Sequence, residues 1–159
     1  MSRTQSLNFK KLVETFHAGL FRFAYCLVFD EQTACDLTQH TFFLYANKGA
    51  QLQDPTKLKP WLYLTLYHEY LRQRSAPQVQ PRGPAGAKPE AITTLDGESA
   101  SALFERLDEP VRAPLALFYL RELTYPEMSE VLEAPLPEIL ERVSAGKAQL
   151  KKILFAGQP

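Results

Sequence analysis

Two neighbouring segments of this chain combine aromatic, acidic and basic side chains in patterns suited to binding a partner or nucleic acid. In the first segment, residues 36–43, a helix would carry one group of side chains opposite its main apolar stripe: Asp36, Gln39, Phe42 and Phe43. Two exposed phenylalanines beside a carboxylate and an amide are typical of a protein–protein interface. The alternative, that either phenylalanine belongs to the core of a helix buried all round, stays open.

The second segment, residues 59–74, has an aromatic stripe and a basic end. The stripe consists of side chains spaced four, three and four residues apart, as on one side of a helix: Tyr63, Tyr67, Tyr70 and Arg74. Tyrosines can stack on unpaired bases, but packing in the core with the hydroxyls at its rim is an alternative with at least equal support. His68 and Arg72, with Trp61 nearby, form an adjacent surface that could contact a phosphate backbone.

Composition and apolar spacing predict an all-α protein of two small helical domains joined by a Pro/Gly-rich linker. The chain has 159 residues, 45% of them hydrophobic, which is enough for an ordinary core. Residues 76–90 hold four prolines and two glycines with few apolar side chains, so burial cannot repay the entropy of ordering them. We therefore predict a first domain over residues 1–75, a flexible linker over 76–98 and a second domain over 99–159, with separate cores.

The sequence argues against several classes of function. No apolar run is long enough for a signal peptide or a membrane span, which favours a soluble, cytoplasmic protein without membrane insertion. The two cysteines lack the spacing of a zinc site, and the three histidines at positions 17, 40 and 68 make no metal-ligand pattern. Because there is also no glycine-rich phosphate loop or nucleophile motif, we expect neither an enzyme nor a bound cofactor.

Charge is unevenly distributed along the chain, although the formal net charge is +0. Residues 1–75 carry nine Lys/Arg against six Asp/Glu, whereas residues 101–159 carry seven against nine. Any affinity for nucleic acid is therefore expected mainly in the first half.

The clearest local signal in the second half marks two helices joined by a short turn. Thr124-Tyr125-Pro126-Glu127 is a capping box with proline in the first turn, so a helix begins there and extends to about Glu133. Residues 134–137, Ala-Pro-Leu-Pro, interrupt the pattern before a longer final helix. This is the arrangement of a helix-turn-helix, although many αα-hairpins share it.

Taken in order, these motifs resemble the extracytoplasmic-function (ECF) sigma factors, the two-domain sigma subunits of bacterial RNA polymerase. The polymerase-binding, promoter-melting domain of that family is matched at Arg22-Phe23-Ala24, Asp36-Leu37-Thr38-Gln39 with Phe42, Pro60-Trp61-Leu62, Arg72 and Arg74. The domain that reads the upstream promoter element is matched at Leu107, Arg112, Leu117, Tyr119, Leu123-Thr124-Tyr125, Glu127-Met128-Ser129 and Arg142. The resemblance covers nearly the whole chain apart from the linker.

The resemblance implies bacterial core RNA polymerase and promoter DNA as partners, with an anti-sigma factor as a further candidate. Together with the phenylalanine pattern, it implies a polymerase-binding set: Asp36, Leu37, Gln39, Phe42 and Phe43. It implies promoter contacts in the first domain from Lys59, Trp61, Tyr67, His68, Arg72 and Arg74. In the second domain the corresponding set is Thr124, Glu138, Glu141, Arg142 and Lys147.

The chain also departs from the family pattern. His68 and Arg72 stand where the family usually carries an Asn and an Asp on the third helix. The final helix opens with Pro137-Glu138-Ile139-Leu140-Glu141, whereas a recognition helix presents its first residues to bases and its basic residues to phosphates. Because carboxylates near phosphates oppose binding, we expect weak sequence-specific duplex binding by the second domain.

Two hypotheses follow. The first is a divergent ECF sigma factor that binds core polymerase and directs transcription initiation at selected promoters. The second is a degenerate sigma-like interaction protein, which binds polymerase, another sigma-like subunit or an anti-sigma partner without reading DNA sequence through its second domain.

Overall fold

The computed structural model describes residues 3–48, 55–75 and 100–156, and all regular structure within these ranges is helical. In chain order the helices are α1 (Arg3–Val28), α2 (Glu31–Lys48), a short 3-10 turn (Pro55–Lys57), α3 (Leu58–Ser75), α4 (Ala100–Glu105), α5 (Glu109–Leu120), α6 (Tyr125–Leu132) and α7 (Leu136–Ala156). The predicted all-α class is confirmed. None of these helices is both long enough and apolar enough to cross a membrane.

Side chains at the starts of α2 and α6 make capping hydrogen bonds. A carboxylate oxygen of Asp30 accepts from the backbone N–H of Thr33 at 2.8 Å, which satisfies one of the unpaired donors in the first turn of α2. The Thr124 hydroxyl accepts from the Glu127 N–H at 3.2 Å, and the Glu127 carboxylate accepts from the Thr124 N–H at 2.8 Å. This reciprocal pair is the predicted capping box, so α6 begins where the sequence places it.

Among the residues that the structure describes, three non-glycine residues adopt the left-handed backbone region at helix ends. Phe29 (φ 57°) connects α1 to α2, Arg121 (φ 56°) follows α5, and Glu133 (φ 51°) follows α6. Such a conformation costs an L-residue about 1–2 kcal/mol, which contacts of the side chain can offset. Phe29 lies under the guanidinium of Arg112, 4.8 Å from the ring centroid, and Glu133 pairs with His68.

The buried side chains form one continuous apolar cluster that draws on both halves of the chain. Its most deeply buried large side chains are Leu20, Phe23, Tyr25, Leu37, Leu62, Tyr63 and Leu66 from the first half, and Leu115, Leu117, Met128, Val131 and Ile139 from the second. α1 packs against α4 and α5, and α3 packs against α6. The expected separate cores are therefore not found, because the short helices of the second half bury apolar side chains against α1 and α3. The domain boundaries remain predictions, and the linker lies outside the described residues.

The second half also has internal contacts that set the position of α7. A Cβ at Gly146 would lie 3.1 Å from Leu115 Cδ2, so the glycine allows α7 to approach α5 closely. Where α5 begins, the Asp108 N–H donates to Gln149 Oε1 at 3.0 Å and the Gln149 amide donates back to the Asp108 carboxylate at 3.1 Å. These contacts fix α7 against α5 at two points along its length.

Candidate functional site

The predicted partner surface on α2 is smaller in the structure than the sequence indicated. Leu37 is fully buried and Phe42 is only 4% exposed, so neither can contact a partner in this conformation. Phe42 stacks on His17 of α1, with ring centroids 6.4 Å apart. The outward placement of Phe42 was wrong because the buried arc of α2 extends across Thr38, a side chain that looks polar in the sequence. The hydroxyls of Thr38 and Thr41 donate to the carbonyls four residues earlier at 2.8 Å, so both residues are buried with their polar groups satisfied.

The remaining predicted residues of α2 do lie together on its outer side, and we call Asp36, Gln39 and Phe43 the α2 surface. Phe43 is 59% exposed and stacks on His40, with centroids 6.0 Å apart. Asp36, which is half-buried, accepts a hydrogen bond from the Gln32 side chain at 2.9 Å. Gln39 is exposed. A large exposed aromatic ring beside a carboxylate and an amide is the composition of a protein-binding surface.

The tyrosine stripe of α3 belongs mainly to the core. Tyr63 is 1% exposed and Tyr70 is 7% exposed, which confirms the core alternative for these two side chains. Tyr67 is half-buried, with its ring 6.3 Å from that of Phe23 and 6.0 Å from that of Tyr70. Burial raises the pKa of the Tyr67 phenol above its ordinary value.

Trp61 and Arg72, two of the predicted promoter contacts, lie at different depths on α3. Trp61 is half-buried with its ring edge-on to Tyr45, the centroids 5.8 Å apart. The Arg72 side chain is 68% exposed and donates to the Glu69 carboxylate through Nε at 3.1 Å and a terminal nitrogen at 2.6 Å. Since the same carboxylate lies 3.4 Å from His40, it links the outer side of α2 to the exposed basic end of α3.

Lysine, arginine and histidine side chains on the 3-10 turn and α3 pair with glutamates of the second half, which the sequence analysis did not anticipate. The pairs are Lys57–Glu130 (3.2 Å), Lys59–Glu122 (3.7 Å), His68–Glu133 and Arg74–Glu109. We call these four glutamates the acidic row. Three of their partners are predicted promoter contacts, namely Lys59, His68 and Arg74. The only sequence signal for the row is the opposite charge excess of the two halves.

The predicted DNA contacts of the second half make contacts within that half. The Thr124 hydroxyl is used in the α6 cap, and Arg142 pairs with Glu138 one turn earlier on α7. The Lys147 ammonium lies over the Phe118 ring, 4.0 Å from its centroid, while Glu141 is exposed. The start of α7 thus presents carboxylates to solvent together with the exposed side chains of Leu136 and Leu140.

Comparison with known proteins supports the resemblance drawn from the motifs. No family model matches the chain. It is 28% identical over 156 residues to the ECF RNA polymerase sigma factor SigE of Mycolicibacterium smegmatis, covering 91% of this chain and 60% of SigE. The chain therefore spans less than two thirds of the length of that relative.

Two solved structures share its fold. One is the sigma factor RpoE of Bartonella quintana, solved in complex with the anti-sigma factor NepR. Its TM-score to this chain is 0.78 at 21% sequence identity, and the match covers 95% of this chain and 99% of RpoE. CnrH, solved with the cytosolic domain of CnrY, has a TM-score of 0.72 at 20% identity and covers 94% of this chain and 89% of CnrH. The resemblance to ECF sigma factors is confirmed in sequence and in fold.

Proposed function

We propose that this chain, which resembles the ECF sigma factors in sequence and fold, binds core RNA polymerase and directs transcription initiation at selected promoters, without catalysis of its own. The observation that carries the proposal is the α2 surface, where Phe43 is 59% exposed while Leu37 and Phe42 of the same helix are buried. Truncation of an exposed aromatic anchor typically removes a large part of the binding energy at an interface. The similarity to SigE over 91% of the chain supports polymerase as the partner.

The DNA-binding part of this function is assigned to α3 and to the helix pair α6–α7. Along α3, the half-buried Trp61 and Tyr67 offer ring surface beside exposed Arg72, which suits an unpaired promoter strand. Lys59 and Arg74, which pair with glutamates of the acidic row in this arrangement, would add positive charge, and His68 would add an exposed imidazole. In the second half, α6 and α7 have the order of a helix-turn-helix, with Arg142 and Lys147 as its basic side chains.

An anti-sigma factor is the further partner that we propose. The structural neighbours RpoE and CnrH were solved with NepR and with the cytosolic domain of CnrY, respectively. The similar arrangement of helices in this chain supports a regulator of the same kind.

The test of polymerase binding uses the purified chain and core RNA polymerase from the same source. We expect a stable complex by size-exclusion chromatography and promoter-dependent transcription in vitro. Phe43→Ala should weaken the complex by about tenfold to thirtyfold, the loss typical of an interface anchor. The matched control is Lys10→Ala, because Lys10 is an exposed residue of α1 outside the α2 surface. Equal affinities for the Phe43→Ala variant, the control and the unmodified chain would remove α2 from the interface.

The start of α7 favours a second candidate, a sigma-like interaction protein whose second half binds protein instead of DNA. Leu136 is 36% exposed and Leu140 is 44% exposed, and they stand beside the carboxylates of Glu138 and Glu141. The distinguishing measurement is transcription by the assembled polymerase from promoters with and without their upstream element. If transcription depends on the upstream element and this dependence disappears in the Arg142→Ala variant, the sigma-factor hypothesis is supported. If the chain forms a complex with polymerase that does not transcribe, the interaction-protein hypothesis is supported.

A further inference from the structure

One side of α7 carries exposed apolar side chains, although the other side packs on α5 and α6. Ile139 and Val143 are buried on the packed side, whereas Leu140 is 44% exposed and Phe155 is 56% exposed. These two and four further exposed residues follow each other at the spacing of one side of a helix. We call the set the outer face of α7, and it consists of Leu140, Glu141, Ser144, Ala148, Lys152 and Phe155.

Charge changes sign along the outer face. Glu141 lies near its start, and Lys152, with Lys151 beside it, lies near its end. Among the described side chains, none forms an ion pair with Glu141, Lys151 or Lys152. Interaction with the helix dipole favours this order of charges, but it does not account for the exposure of Leu140 and Phe155. The combination of apolar ends and opposite charges is that of a protein-binding surface.

The outer face is complementary to itself when a second α7 runs antiparallel to the first. With a two-fold axis level with residues 146 and 147, Glu141 of one copy lies opposite Lys152 of the other. In the same register, Leu140 meets Phe155 to within one turn, so an apolar contact forms at each end. Ser144 and Ala148 lie beside the axis, and such small side chains allow two helix axes to approach to about 8 Å.

We propose that the outer face of α7 is a self-association surface, on which a second copy of this chain docks antiparallel about a two-fold axis. The interface is isologous, so both apolar contacts and both Glu141–Lys152 pairs form twice. One side of a single helix buries less than the about 1,200 Å² of a standard interface, so the dimer forms at high protein concentration and is not permanent.

This surface is separate from the α2 surface, and the inference does not depend on polymerase binding. A dimer of this kind would cover the start of α7. A promoter duplex and a second copy of the chain would therefore compete for the same helix.

The test is a charge exchange between two full-length variants, followed by sedimentation velocity at protein concentrations from about 1 μM to about 1 mM. In a dimer of the Glu141→Lys variant, two lysines oppose each other at both symmetric positions, and in a dimer of the Lys152→Glu variant two glutamates do so. An equimolar mixture restores attraction at both positions. The control variants are Glu14→Lys and Lys11→Glu, which change the net charge equally at exposed positions of α1.

We expect the sedimentation coefficient of the unmodified chain to rise with concentration. Each charge variant alone should self-associate about tenfold more weakly, and their mixture should recover the affinity of the unmodified chain. The control variants, alone or mixed, should associate as the unmodified chain does. An unmodified chain that stays monomeric overturns the proposal, and so does association that neither charge variant weakens. A mixture as weak as its separate components overturns the antiparallel arrangement and the proposal with it.

The full-length double variant L140A/F155A tests the apolar part of the interface without changing charge. Both side chains are exposed, so the fold should be retained, as checked by circular dichroism. We expect self-association to weaken by about tenfold, and an unchanged affinity overturns the proposal. The same variant tests polymerase as the alternative occupant. If the unmodified chain is monomeric and L140A/F155A binds core polymerase more weakly than Lys10→Ala does, the outer face is a polymerase contact and the proposal is wrong.

Discussion

Gly19 lies where α1 meets α3 and the second half, and replacing it with alanine tests the packing at this junction. A Cβ at position 19 would overlap the hydroxyl oxygen of Tyr63, a side chain that is 1% exposed and has no room to move aside. The next nearest heavy atoms are Cδ and Cγ of Glu122, at 3.5 and 3.6 Å, which is ordinary van der Waals contact. The obstacle to a methyl group is therefore the single hydroxyl of Tyr63.

Two opposing contributions set the magnitude. Alanine is favoured over glycine in a helix interior by about 1 kcal/mol, whereas forcing an extra methyl into a packed site costs about 1–3 kcal/mol. Gly19→Ala should therefore lower the free energy of unfolding by up to about 2 kcal/mol. In a Tyr63→Phe background the hydroxyl is absent, so the same substitution should raise the free energy of unfolding by about 0.5–1 kcal/mol.

Urea unfolding of the four proteins in this double-mutant cycle measures both effects, provided that each unfolds in one cooperative transition. The sign of the Gly19→Ala effect should reverse between the two backgrounds. A stabilisation of equal size in both would refute the reasoning, because it would mean that the Tyr63 hydroxyl does not approach Gly19. A destabilisation of equal size in both would locate the obstacle at Glu122 instead.

Three further predictions follow from single side chains. Thr124→Ala should lower the free energy of unfolding by about 1 kcal/mol through loss of the α6 cap, and Thr124→Ser, which keeps the hydroxyl, should recover most of it in the same urea experiment. Phe42→Ala should cost about 3–5 kcal/mol of stability, whereas Phe43→Ala should change it by less than about 0.5 kcal/mol; comparable costs would contradict the placement of the two rings. Burial raises the pKa of the Cys26 thiol to about 12, so iodoacetamide should alkylate only Cys35 in the folded chain and both thiols after unfolding, as counted by intact-protein mass spectrometry.

Helices with strong local signals could be predicted from the sequence. The capping box at Thr124 places the start of α6 correctly, because capping depends on residues within one turn. The order of the motifs also identified the family resemblance. Local patterns do not show which helices share a core. The same apolar helix faces could be buried within each half of the chain or between the two halves.

The site was predicted less completely, for two physical reasons. The Thr38 hydroxyl donates to the Ala34 carbonyl, so the buried side of α2 is wider than a count of apolar residues indicates, and Phe42 falls inside it. The acidic row consists of glutamates from α5, α6 and the turns beside α6, far in sequence from α3. The first half carries an excess of positive charge and the second half an excess of negative charge, which is consistent with pairing between the halves. This difference does not show which glutamate pairs with which basic side chain.

The positions of the α2 surface and the acidic row limit what a partner docked on α2 can do to the contacts of α3. A partner shifts a conformational equilibrium only by the difference between its affinities for the two forms. Phe43 and Gln39 lie on the outer side of α2, a helix that packs on α1 and α3. Neither residue belongs to the pairs between the acidic row and the first half. Docking through Phe43 and Gln39 alone therefore supplies no free energy for breaking those pairs, and a partner that breaks them must contact α3 or the second half directly.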